Sequence, residues 1–308
     1  MEMHQKDNTI VIKINNAIRY IENNTHKKLV LKEIAKQAYL SPFHFHRIFT
    51  AIVGETLHSF IIRKKIEKAA RLLLHKPNEF TITEIGEAVG FNSLTSFSRA
   101  FKKFYGLAPK TFRQNTPSRF SKICKTESKN GIVNTELQQY IYNFKTHLNF
   151  IEMNAKKIEV TTVETITVAY VSHIGNPEKL EQSFDILLKW AYPNNLFNEK
   201  TKVITVYHDS PKITAISKLR MSACISLSED NITVPKDINT TKVIGGRHVV
   251  ARYEISPHQF ENAWEATFVW LFDKGFKVKD NPPFEIYHND FRAHPEQKVL
   301  VDLHIPVE

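Results

Sequence analysis

Apolar residues fall at helical spacing through the first third of the chain and at strand spacing through its second half. Ile10, Ile14, Ile18 and Ile21 predict a helix over residues 9–24, and Leu31, Ile34, Ala35 and Ala38 predict a shorter one. Tyr39-Leu40 make a turn. Ser41 then caps a helix that carries Pro42 at its first position. Its apolar stripe is Phe45, Ile48, Phe49 and Ile52, with Phe43, His44, His46, Arg47 and Thr50 nearer the outside, and Gly54 ends it. A long helix from about Leu57 to His75 turns Phe60, Ile61, Leu72 and Leu73 inward and stops at Pro77. The pattern then returns. Glu84 to Val89 form a short helix, Gly90 supplies a turn of positive φ, Asn92 or Ser93 caps, and Phe97, Ala100, Phe101 and Phe104 make the next stripe.

The two passages align residue against residue: Ile34 with Ile85, Ala35 with Gly86, Leu40 with Phe91, Arg47 with Arg99, Phe49 with Phe101, Gly54 with Gly106 and Phe60 with Phe112. A repeated short helix, turn and basic second helix suits a periodic target such as the DNA major groove. Charge strengthens this reading. Residues 1–116 hold 19 Lys/Arg against 9 Asp/Glu, whereas residues 157–308 hold 17 against 20, so the chain's +10 resides in the repeat and the stretch after it. Asn92 to Tyr105 contains no acid at all.

On these residues, 1–116 resemble the DNA-binding domain of the AraC/XylS family of transcriptional regulators. The second unit carries the resemblance through Gly90-Phe91, Phe97, Arg99, Phe101, Phe104, Gly106, Pro109 and Arg113, and the first through Ile34, Ala35, Ser41, Phe45, Arg47, Phe49 and Gly54. The resemblance implies that both second helices enter adjacent major grooves of double-stranded DNA, roughly one turn (~34 Å) apart. Phe43, His46 and Arg47 would read one half. Leu94, Thr95, Ser98 and Arg99 would read the other, with Lys102 and Lys103 beside them. Arginine suits guanine bidentately, and Thr and Leu offer methyl contact to thymine. A chain with two reading helices can bind as a monomer, and RNA polymerase is the expected further partner.

Residues 117–156 read as a linker, basic at first and with a segment of uncertain type after it. From Lys157 the pattern becomes two β-α-β-β units. The first is the strand Ile166 to Gly175, the helix Pro177 to Tyr192, and the strands Ile204 to Asp209 and Met221 to Leu227. The second is the strand Arg247 to Ser256, the helix Pro257 to Gly275, and the strands Phe284 to Asp290 and Val299 to Val307. Two such units predict one sheet with both helices on one face and a cleft between the halves. The expected architecture is therefore multidomain: an all-α double helix-turn-helix domain (1–116), then an α+β domain (157–308).

Through the strand beginning at Val168, the segment Pro282 to Asp290 and the ending Ile305-Pro306-Val307, the second half resembles the GyrI-like effector-binding domain. That resemblance implies a small, often cationic and aromatic, ligand with a glutamate as counter-charge. Aligning the repeats sets Thr205 opposite Glu285, so the acid exists in one half only. Glu285, Tyr287, Trp264, Phe268, Tyr170 and Tyr207 are the candidate ligand residues. Two alternatives stay open: hydrolysis of a reactive compound by Glu285 with Tyr287 or Tyr170, and a protein-docking module.

The remaining features bound the picture. No run approaches the ~20 apolar residues of a membrane span, and the N-terminus lacks a signal-peptide pattern, so the cytoplasm is expected. Cys124 and Cys224, far apart and outside any CxxC, support neither a disulfide framework nor a structural zinc site. No catalytic constellation, cofactor or metal is expected.

Overall fold

The structure is a computed structural model that describes residues 9–75, 79–114, 131–212, 214–228 and 232–308. Pro77, Cys124 and the first part of the connector lie outside these residues. The chain divides into two units, 1–145 and 146–308.

Among its described residues the first unit carries the helices α1 (Thr9–Asn23), α2 (Leu31–Gln37), α3 (Pro42–Val53), α4 (Leu57–His75), α5 (Ile82–Ala88), α6 (Leu94–Tyr105) and α7 (Pro109–Gln114). Local chemistry sets their ends. The Ser41 hydroxyl accepts from the His44 amide at the start of α3, and Ser93 does the same for Ser96 at α6. Thr81 and Glu84 form a reciprocal capping box on α5. Gly54 and Gly106 close α3 and α6 in the left-handed region. The turns before α3 and α6 are also left-handed, through Tyr39 (φ 57°) in the first helix-turn-helix copy and Gly90 (φ 83°) in the second copy.

Each reading helix sits on its own aromatic core. Phe49 packs on Phe45 at 5.4 Å and edge-on against Phe60 at 5.2 Å, while Phe101 touches Phe97 at 5.7 Å and Phe112 at 5.1 Å. The inner face of α4 is Phe60, Ile66, Ala69, Ala70 and Leu73, and Ile61 and Leu72 are only half-buried. Two side chains depart from the expected faces. His44 is buried against Phe43, and Phe104, although it shares the helical spacing of Phe97 and Phe101, is 47% exposed and meets Tyr105 edge-on at 5.0 Å. The segment of uncertain type is a 24-residue helix, α8 (Gly131–Asn154), and the unit boundary falls within it.

The second unit holds an eight-stranded antiparallel sheet: β1 (Ala155–Val163), β2 (Ile166–Ile174), β3 (Val203–Tyr207), β4 (Arg220–Ser226), β5 (Asn239–Val243), β6 (Gly246–Ile255), β7 (Phe284–Tyr287) and β8 (Val299–Pro306). Its order is β1-β6-β8-β7-β3-β4-β2-β5. Helices α9 (Glu181–Ala191) and α10 (Phe260–Asp273) belong to the two predicted repeats, which meet at the β3–β7 seam. Strands β1 and β5 are additional to those repeats.

These two strands give the sheet its shape. β1 pairs with β6 and β2 with β5 in one unbroken register, from Val163↔Gly246 to Ile166↔Val243. Two-residue links, Glu164-Thr165 and Ile244-Gly245, therefore join strands at opposite ends of the sheet, which must curl to bring them together. At that corner the Gly245 amide donates to the Thr165 hydroxyl at 3.0 Å, and a Cβ on Gly245 would lie 2.2 Å from the Val163 carbonyl oxygen. Only glycine fits there. The concave face packs Ile166, Val168, Ile204, Val243, Phe284 and Ile286 together. The convex face carries α9 on Ala169, Val171 and Ala223, and α10 on Ala251, Tyr253 and Leu303.

Candidate functional site

The residues expected to read DNA fall on α3 and α6, with unequal exposure. On α6, Leu94, Thr95, Arg99, Lys102 and Lys103 are exposed and Ser98 is half-buried. No ion pair or hydrogen bond engages the Arg99 side chain among the described residues, which leaves its guanidinium available to a base edge or a phosphate. On α3, Phe43 is 37% exposed, His46 and Arg47 are half-buried, and the Arg47 guanidinium lies 5.5 Å from the Phe43 ring centroid. Of the two helix-turn-helix copies, the second, through α6, thus presents the more open polar face. A cross-link between helices steadies it: the Lys65 ammonium of α4 donates to the Gly90 carbonyl at 2.6 Å, and burial lowers its pKa.

In the second unit Glu285 occupies the middle of the convex face, on the β3–β7 seam, and is fully buried. Three neutral donors converge on it. The Trp264 indole N–H donates to Oε1 at 2.7 Å, the Tyr207 hydroxyl to Oε2 at 2.9 Å, and the Tyr287 hydroxyl also to Oε2. Because the Tyr287 proton is spent on Glu285, the Thr205 hydroxyl at 3.0 Å donates to the Tyr287 oxygen. No ion pair involving Glu285 forms among the described residues. Burial raises its pKa, and the bonds from Tyr287, Trp264 and Tyr207 oppose that rise. The same burial, together with the Glu285 charge, holds both tyrosines well above their ordinary value.

The expected ligand residues divide by face. Tyr207, Trp264 and Tyr287 join Glu285. Phe268 is 2% exposed and stacks on Trp264 at 5.9 Å, so it supports the indole instead of offering surface. Tyr170 does not join them. It pairs with Cys224, which pairs with Ile204, and strand alternation carries all three to the concave face. The hydrolase reading loses Tyr170 as an orienter for the same reason. Phe184 and Phe260 complete the aromatic surround, each 6.4 Å from Tyr287.

Three ion pairs cross the seam, none of them named from the sequence. Lys212, in the loop after β3, reaches the other half's helix at Glu261 and at Glu265 (2.7 Å). Arg292, in the loop after β7, reaches Glu181 of the first half's helix at 3.3 Å. Glu181 and Glu261 are equivalent positions of the two repeats, as are Lys212 and Arg292. Each half therefore ties its loop to its neighbour's helix. The constant offset of 80 positions (205 to 285, 212 to 292) was the available signal.

The chain thus joins two different scaffolds, each duplicated within itself: a pair of helix-turn-helix copies, and a sheet whose halves meet at a buried acid. Family comparison gives the same division. Residues 34–115 match the helix-turn-helix domain and residues 156–308 the GyrI-like small molecule binding domain. The chain therefore carries an AraC-type helix-turn-helix domain followed by a GyrI-like domain. It is 36% identical over 95 residues to the MmsAB operon regulatory protein of Pseudomonas aeruginosa, covering 31% of this chain and 30% of that protein. It is 30% identical over 94 residues to the probable transcriptional regulator LumQ of Photobacterium leiognathi, covering 30% and 37%. The chain thus spans only about a third of the length of these curated relatives. Among solved structures, the EcmrR C-terminal domain matches 49% of this chain and 97% of its own, at 15% identity and a TM-score of 0.41. No helix among the described residues is long and apolar enough to cross a membrane.

Proposed function

We propose that the chain is a sequence-specific DNA-binding transcription regulator whose GyrI-like domain senses a small lipophilic cation at Glu285. A monomer places α3 and α6 on one asymmetric DNA site, and RNA polymerase is the partner through which occupancy acts. The observation that carries the ligand reading is a fully buried carboxylate held by three neutral donors, with aromatic rings around it and no ion pair. Burying a carboxylate is costly, and hydrogen bonds from neutral groups offset the cost only in part. A cation between the rings supplies the missing charge and gains cation–π attraction as well.

The test is titration of the full chain with benzyltrimethylammonium, followed by Trp264 fluorescence. Glu285→Gln keeps the shape and removes the charge, and is expected to weaken binding at least tenfold. Equal affinity in the two proteins would remove Glu285 from the site. Because a cation prefers the ionised acid and the Glu285 pKa is raised, affinity should fall as pH drops toward the carboxylate range.

A further inference from the structure

We propose that the concave face of the sheet holds a second small-molecule site, selective for a compact amphipathic carboxylate and independent of Glu285. A cavity of about 390 Å³ opens there, and Tyr170, Ser172, Val206, His208, Ser222 and Cys224 contribute to its walls. That size falls in the range of small-ligand pockets.

The repeat explains why the space exists. Eighty positions on from Ser172, Ser222 and Cys224 stand Arg252, Asp302 and His304. In the second half these larger groups fill the equivalent place. Arg252 forks onto Asp302 at 2.7 and 2.6 Å, His288 meets Asp302 at 2.8 Å, and His304 stacks on Phe284 at 4.5 Å. In the first half the arginine and the carboxylate are both serine. His208, the counterpart of His288, keeps its place and bonds the Ser222 hydroxyl at 2.8 Å. The cavity lies where the other repeat places its arginine–carboxylate pair.

What remains around the space fits an anion with an apolar body. Among the described residues, no Asp or Glu lines it. Arg220 and Lys242 stand at its rim. Arg220 is held by Asp209 through two bonds of 2.8 Å, while Lys242 has no ion-pair partner among the described residues. A ligand carboxylate at the place Asp302 takes in the other half would meet His208 and the Ser172 and Ser222 hydroxyls. Its apolar part would lie on Val206, Val243 and Ile244.

The probe is 2-naphthoate, titrated calorimetrically into the full chain, with 2-naphthalenemethanol as the uncharged analogue. Saturable binding is expected, at least tenfold weaker for the alcohol and severalfold weaker in Lys242→Glu. It should persist in Glu285→Gln and under saturating benzyltrimethylammonium. The double variant Ser172→Arg with Ser222→Asp rebuilds the second half's ion pair inside the cavity and should abolish naphthoate binding while leaving the cation titration unchanged. Should that variant fail to melt cooperatively, Lys242→Glu, an exposed change, decides alone. Absence of saturable binding, equal affinity for the alcohol, unchanged affinity in Lys242→Glu, or displacement by the cation each overturns the proposal.

Discussion

The chain contains two internal duplications, and they have aged differently. In the helical one both copies keep an arginine at the same outward position, Arg47 and Arg99, above the same aromatic core. In the sheet the copies keep their backbone register and part in chemistry: Thr205 against Glu285, Ser222 against Asp302, Cys224 against His304. A repeat that faces a periodic polymer has reason to stay alike, since each copy meets the same kind of surface. A repeat that closes around one small object has reason to diverge, because a single acid at the seam serves both halves. A second buried carboxylate in place of Thr205 would add like-charge repulsion at the register partner of the first.

The sheet's halves share one irreplaceable joint, and breaking it should have the largest effect. Thr165 and Gly245 are repeat equivalents that meet at the corner, where the glycine has no room for a Cβ beside the Val163 carbonyl. Gly245→Ala should destabilise the domain by about 3 kcal/mol or more, read from urea unfolding. Thr165→Ala loses one hydroxyl contact and should cost about 1 kcal/mol. Equal losses at the two positions would mean that the corner is not held as described.

The pair Cys224 and His304 separates the halves by pH. Burial pushes the Cys224 thiol up to about 12, so it stays uncharged through the acid range. Burial drops His304 from 6.5 to about 3, and neither ring nitrogen has a hydrogen-bond partner among the described residues. The folded state thus binds fewer protons at His304 than the unfolded state does. The resulting stability is present above pH 6.5 and drains away as pH falls toward 3, by at most about 1.4 kcal/mol per pH unit. His304→Phe keeps a ring on Phe284 and should flatten that stretch of the acid-unfolding curve, whereas Cys224→Ala should leave its slope unchanged. Glu285 works in the opposite sense, since its raised pKa makes it a liability as pH climbs above 4.5.

For the helical duplication, the more open α6 predicts unequal arginines. Arg99→Ala should lose about 1–3 kcal/mol of discrimination between the specific site and random duplex while keeping salt-sensitive general binding. Arg47→Ala, whose guanidinium already rests on Phe43, should lose less. Competition binding at moderate salt measures both, and a larger loss at Arg47 reverses the order of the two helices.

How much of this was legible follows from periodicity. The helical duplication could be aligned because Ile34, Phe49 and Gly54 return as Ile85, Phe101 and Gly106 within a strong apolar rhythm. The six longest-patterned strands were readable for the same reason. β5 was not, since four of its five residues, Asn239 to Lys242, are exposed and carry no alternation. β1 hid because it continues directly from α8 and has no fully buried residue. Glu285 stood out as an acid that breaks the repeat, and its donors Tyr207, Trp264 and Tyr287 were near enough in type and spacing to be named. Tyr170 was misplaced because a tyrosine reads alike on either face, and its register partner decides the face. The concave cavity and the partners of Lys212 and Arg292 depend on which side chains meet in the folded sheet; the 80-residue offset pairs equivalent positions but does not say what each one touches.

The smallest expected effect concerns the two turns before the reading helices. Both take positive φ, yet the first copy uses Tyr39 and the second Gly90. Gly90 has no alternative, because a Cβ would approach the Thr25 carbonyl oxygen to 2.6 Å. Tyr39 is 83% exposed, so its ring contributes little packing and its left-handed backbone costs about 1–2 kcal/mol. Replacing it with glycine relieves that strain but loosens the unfolded chain, which returns about 0.4–1 kcal/mol. Tyr39→Gly should therefore stabilise the first unit by up to about 1 kcal/mol and raise its melting temperature slightly. A loss of stability would show that the Tyr39 ring is held by something other than its turn, and the first copy would then differ from the second by a contact and not by strain alone.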